Sequence, residues 1–157
     1  MQHHTAMSTE WIIAQGVADE IAAAAQGAQV VLADRAAYDA FAYYTAALEF
    51  RDEHPVPAGQ DRLRILVGLA EQERLRLLAA TQAPKYDLLL ATVLDPSVPV
   101  DKSHDYDARY RALVDEHVHS LLADEELDHV RVTSAAHSHT DAIRHAVELA
   151  LKAATDS

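Results

Sequence analysis

The chain has 157 residues, half of them hydrophobic, with 25 acidic against 13 basic side chains, a formal net charge of −12 and a pI near 5.1. That length fits one domain over residues 1–157 with a sizeable core, and the acidic balance excludes a nonspecific nucleic-acid binder, which needs a basic footprint. With no cysteine there is no disulfide framework or thiolate metal site; no apolar run approaches a membrane span and no signal-peptide pattern is present, so a cytoplasmic location is expected.

Ser8, Thr9 and Glu10 open a helical run predicted over residues 11–26, closed by Gly27, as a glycine past a helix end commonly does. Val30, Val31 and Leu32 form a short apolar run that predicts a strand over 30–33, buried on both faces. A helix rich in alanine and aromatic residues is predicted over 36–50, then a loop over 51–59 with Pro55 and Pro57. Residues 61–81 read as a long amphipathic helix with Leu63, Leu66, Val67, Ala70, Leu77 and Leu78 near one face, interrupted by Arg74. After the break at Pro84, residues 86–93 predict a second strand, and 95–105 a polar loop. A helix over 106–123 follows, with Tyr110, Leu113, Val114 and Leu121 as its buried residues. Residues 129–133 alternate like a strand, and Ser138 and Asp141 resemble a capping box opening a last helix to about 154. Strands separated by helices imply a parallel sheet with right-handed crossovers.

The segment from Val30 to Tyr44 carries the clearest chemistry. An apolar strand that ends in Asp34 and Arg35 and turns straight into a helix is how a P-loop kinase presents a metal-side carboxylate and a phosphate-side arginine. Such a kinase also needs G-x-x-x-x-G-K-[ST] upstream, to wrap phosphates in backbone N–H groups and supply a lysine. The four glycines (Gly16, Gly27, Gly59, Gly68) and three lysines (Lys85, Lys102, Lys152) form no such motif. The reading is therefore of the later part of a nucleotide-handling domain.

Three segments together resemble the nicotinamide-ribose-kinase-like (NadR-like) P-loop domain of the AAA type: the Asp34–Arg35 turn with Asp39 behind it, the strand opening Tyr86-Asp87, and a lid-like stretch at about 99–111 that leads into a helix and the 129–133 strand. The resemblance covers roughly residues 8–152. It implies an α/β, P-loop-kinase-like three-layer fold with a parallel sheet, N-terminally truncated so that the first β-α unit is missing. It further implies an ATP-dependent small-molecule or nucleoside kinase or ATPase, inactive as this chain, with ATP and Mg²⁺ as cofactors and a small phosphate acceptor as partner. Asp34, Arg35 and Asp39 take the catalytic places, with Asp34 toward Mg²⁺. Lys102, Arg109 and Arg111 are the lid cations over the phosphates, and Thr133 and Ser134 border the base. Two departures stand beside the match: the phosphate loop is absent, and the family's Asp-Asp-Gly-x-Arg lid start is here Asp101-Lys102-Ser103-His104.

Each site has a plainer reading. Asp34 caps a helix and Arg35 is solvated; Tyr43 and Tyr44 are core rather than a platform for a base; Arg109 and Arg111, two apart, cannot share one helical face. The ten histidines match no zinc spacing, and no Gly-x-Ser-x-Gly elbow is present. The rival function is a non-catalytic nucleotide- or protein-binding module that pairs through exposed sheet edges.

Overall fold

The computed structural model describes residues 4–27, 30–53, 62–95, 107–133 and 139–156. Five α-helices of 17 to 20 residues carry most of them: α1 (Ala6–Ala25), α2 (Ala37–Glu53), α3 (Arg62–Ala80), α4 (Ala108–Asp124) and α5 (His139–Asp156). Two strands of three residues, β1 (Leu90–Thr92) and β2 (Val130–Val132), flank α4. No helix among the described residues is long and apolar enough to cross a membrane.

Local chemistry sets the helix ends. α1 begins earlier than residue 11 because Thr5 and Ser8 form a reciprocal cap: Thr5 Oγ1 accepts the Ser8 N–H at 3.2 Å, and Ser8 Oγ accepts the Thr5 N–H at 2.9 Å. It ends where Gly27 takes a left-handed φ of 76° and donates its N–H to the Ala24 carbonyl at 3.1 Å. At α4, Asp107 is the cap, its carboxylate accepting the backbone N–H groups of Arg109 and Tyr110.

α2 is the centre of the molecule. Tyr38, Phe41, Ala42, Tyr44, Ala46 and Ala47 are buried on several of its faces, and it packs on α1, α3 and, most extensively, α4. A helix enclosed all round needs small residues where neighbours come close. On its α4 side Ala46 and Ala47, both fully buried, meet Tyr110, Leu113 and Val114. On its other side Tyr38, Ala40, Phe41 and Tyr44 join Ile13 of α1 and Leu75 and Ala79 of α3. Tyr110 donates its hydroxyl to the Tyr43 carbonyl at 3.1 Å; burial pushes that hydroxyl up to about 12, so it stays a donor.

The expected three-layer α/β fold is overturned. The chain is mostly helical, and its two short strands are too small to form a layer. β1 and β2 do pair in parallel, Leu90 opposite Val130 and Thr92 opposite Val132, with α4 as the crossover. The predicted strand at 30–33 is not formed: these residues lie in no helix or strand and join no sheet among the described residues, with Val30 and Val31 38% exposed and Leu32 77% exposed. A strand persists only where a neighbour takes its backbone hydrogen bonds, and helix-on-helix packing around α2 supplies none there. The run before β1 is likewise shorter than expected: Ala83–Lys85 is a 3₁₀ turn and only Leu90–Thr92 pairs.

The apolar stripe expected on α3 is also corrected. Leu75 and Ala79 are the buried residues, whereas Leu66, Val67 and Leu77 are about half exposed. Two arginines beside Leu75 tie the helix to its neighbours. Arg74 reaches Glu10 of α1 with both guanidinium nitrogens, at 2.7 and 2.8 Å, and Arg76 reaches Glu125 past the end of α4.

Candidate functional site

The residues that carry chemistry collect where the chain enters α2. The segment from Val30, in no helix or strand, bends at Asp34 and Arg35, both exposed, and α2 begins at Ala37. Arg35 has a φ of 72°, a left-handed conformation that costs a non-glycine residue about 1–2 kcal/mol. Its guanidinium carbon lies 5.3 Å from the centre of the Tyr43 ring, a cation–π contact two turns into the helix. The His4 ring packs against the same tyrosine, centroids 5.7 Å apart and planes tilted by 32°.

A cavity of about 50 Å³ opens between α1 and α2, lined by His4, Gly16, Glu20, Arg35, Ala37 and Tyr43 among others. Two of its lining residues, Glu20 and Ala37, are joined by Tyr86, whose hydroxyl donates to Glu20 Oε1 at 3.0 Å and accepts the Ala37 N–H at 3.5 Å. Burial, with the Glu20 carboxylate adding, pushes that hydroxyl up to about 12. One residue thereby links α1, the start of α2 and the chain ahead of β1.

The electrostatics are divided. Asp39 lies half-buried in the first turn of α2. Burial raises its carboxyl above the ordinary range and Asp34 adds to that, while a backbone hydrogen bond at Ala36 and the charge of Arg35 pull the other way. His4 is held below its ordinary value, first by burial and also by Arg35, and its Nδ1 is buried with no hydrogen-bond partner among the described residues. Arg74, Arg76, Arg109 and Arg144 each meet a carboxylate, whereas Arg35 meets a ring and joins no ion pair among the described residues.

Asp34, Arg35 and Asp39 are thus brought together, and Arg109 is not with them. Arg109 pairs with Glu53 at 2.5 Å and Glu49 at 3.7 Å, toward the far end of α2. At about 1.5 Å per residue that is roughly 20 Å from Asp39. Arg111 is half-buried on α4, and Thr133 is exposed just past β2. Lys102, Ser134 and the lid-like stretch up to residue 106 lie outside the described residues. Tyr86, ahead of β1, touches the start of α2, and past β1 the Leu94 N–H is held by Asp115 at 2.8 Å; beyond Asp95 the polar loop expected up to residue 105 lies outside the described residues. Tyr44 is core, 4% exposed, and Tyr43 alone of the two tyrosines is available to the cavity.

Sequence reading missed His4, Glu20 and Tyr86 as members of this cluster. Tyr86 had a usable signal, an aromatic hydroxyl opening an apolar run; His4 beside His3 and Glu20 on a solvated helix had none. Among the described residues no group of three histidine or carboxylate side chains could hold a metal by itself. Two neighbouring carboxylates suit Mg²⁺ only in the mode where phosphate oxygens complete its shell. Compared with protein-family models, with curated proteins and with solved structures, the chain matches none of them. The resemblance to the NadR-like domain rests on its three segments alone.

Proposed function

We propose that the chain is a binding module for a small phosphate-bearing ligand, a nucleotide in kind, held at the entrance to α2. The observation that carries this reading is Arg35. In a chain with 25 acidic side chains, a guanidinium held in a strained backbone conformation, stacked on a tyrosine and joined to no carboxylate among the described residues, is available to an anion. Its planar fork suits two phosphate oxygens, and the His4–Tyr43 pair beside it offers ring faces to a base. Asp34 and Asp39 oppose a bare anion. They favour one that arrives with Mg²⁺, whose charge would offset both carboxylates and relieve the buried one.

Calorimetric titration of pyrophosphate, ADP and ATP, each with and without Mg²⁺, tests this. Binding is expected with Mg²⁺ present and to weaken at least tenfold in Arg35→Ala. His4 supplies an independent readout: neutralising Arg35 removes one cause of its lowered pKa, so its imidazole NMR titration should move up on binding. An absence of binding, or binding that ignores Arg35→Ala, overturns the reading. Turnover, as in the kinases and ATPases the chain resembles, requires a phosphate-wrapping loop that these residues do not supply. Release of inorganic phosphate from ATP by the purified chain would replace the binding reading with a catalytic one.

A further inference from the structure

α1 is apolar on two faces, and the bundle uses one. Ile13 and Val17 turn inward to α2 and α3. On the other face Met7, Trp11, Ala14, Ala18, Ile21 and Ala25 follow one another at alternating steps of four and three residues, and all six are exposed. Met7 is 80% exposed, Trp11 65% and Ile21 62%. Alternating three-four spacing is the pattern of a helix seam that packs on another helix. It runs the full 20 residues of α1, about 30 Å.

We propose that this seam pairs with its own copy, α1 antiparallel to α1 across a two-fold axis near Gly16. The order of side chains along the seam favours that occupant. In this register Met7 faces the partner's Ala25, and Trp11 faces the partner's Ile21. Ala14 faces the partner's Ala18, so each large residue meets a smaller one and the smallest pair sits at the axis, where the backbones come closest. A parallel pairing would set Trp11 against the partner's Trp11 and leave the alanine half without filling.

Charge agrees. α1 has no basic residue, and its acids are Glu10, Asp19 and Glu20. In the antiparallel register Glu10, which already pairs with Arg74, lies across from the partner's Ala22, while Asp19 and Glu20 stay off the seam. No carboxylate is set against another. Met7, Trp11 and Ile21, the large residues of the seam, supply most of the apolar area the pairing would bury, against the roughly 1,000 Å² that a specific interface needs. Each copy carries a formal charge of −12, so long-range repulsion opposes pairing, and it is screened beyond about 10 Å at 0.1 M salt. The dimer therefore strengthens as salt rises, opposite to an interface held by ion pairs.

Sedimentation velocity on the full chain from 1 to 100 μM, at 50 and 500 mM NaCl, is the first test. A monomer–dimer equilibrium is expected, tighter at least threefold at the higher salt. Trp11 is the only tryptophan, and its emission should shift to shorter wavelength as the dimer forms. Ala18→Glu, an exposed substitution that leaves the core untouched, should give a monomer with an unchanged circular dichroism melt. Register is read by crosslinking, since the chain has no cysteine background: Ala14→Cys mixed with Ala18→Cys should oxidise to a mixed disulfide, and each variant alone should not. A chain monomeric at 100 μM overturns the proposal. So does a dimer that Ala18→Glu leaves intact, or self-crosslinking of Ala14→Cys alone.

Discussion

Asp39 shows what a single residue costs and how that cost is read. Its carboxyl is raised above the ordinary range, first by burial in the opening turn of α2. A raised carboxyl holds its proton in the folded state at pH values where the unfolded chain has lost it. Stability therefore falls as pH climbs from the ordinary carboxylate value through the raised one, and the full penalty stands at neutral pH. Asp39→Asn removes the titration and keeps the shape. It should raise Tm at pH 7, with each recovered kcal/mol worth about 2–4 °C in a chain of this size. The gain should shrink as pH falls toward the ordinary carboxylate value of 3.8, where the unfolded state takes up the proton as well. Melts at pH 7, 5.5 and 4 check both the sign and its loss. The same residue also measures how much of the site was legible. Asp34, Arg35 and Asp39 stood out because charged groups follow an apolar run at a helix start. Tyr86, Glu20 and His4 did not, because only tertiary packing brings them to that helix.

At the scale of elements, helix ends were written in local chemistry, and of the three predicted strands two form, shorter than expected, and pair in parallel as expected. Gly27 and Asp107 act within a turn of themselves, so their roles need no partner from elsewhere in the chain. Residues 30–33 have the composition of a strand, but a strand also needs a neighbour, and no residue in the run specifies one. α3 differs for a related reason: its inward face, Leu75 and Ala79, is set by the core it shares with α1 and α2, which its own apolar spacing does not specify. Two glycines separate the local effects cleanly. Neither Gly16 nor Gly27 has anything within 4 Å of where a Cβ would stand, so sterics with neighbours do not enter. Gly27 has the left-handed φ, and Gly27→Ala should destabilise by about 1–2 kcal/mol. Gly16 lies in the interior of α1, and Gly16→Ala should stabilise by about 0.5–1 kcal/mol through helix propensity. Urea denaturation of the two variants against wild type gives both values, and equal signs would contradict the backbone account.

For the whole molecule, the most extensive contact between elements is that of α2 with α4. Leu113 is fully buried there against Ala46 and Ala47, and a leucine-to-alanine change in such a place costs about 2–5 kcal/mol. Against a typical domain stability of about 5–15 kcal/mol, Leu113→Ala should lower the denaturation midpoint sharply or leave the chain partly unfolded at 37 °C. The enclosure of α2 has a consequence in time as well as in energy. α1, α3 and α4 all lean on it, so loosening any one of them leaves its amides covered by the others. Its backbone protons should exchange with deuterated solvent only when the entire bundle opens. α5, with Ile143, Val147 and Leu151 facing solvent and no comparably extensive contact among the described residues, should exchange through small local openings many times faster. The slowest protons of α2 are then a clock for the global unfolding of the chain, readable without any denaturant.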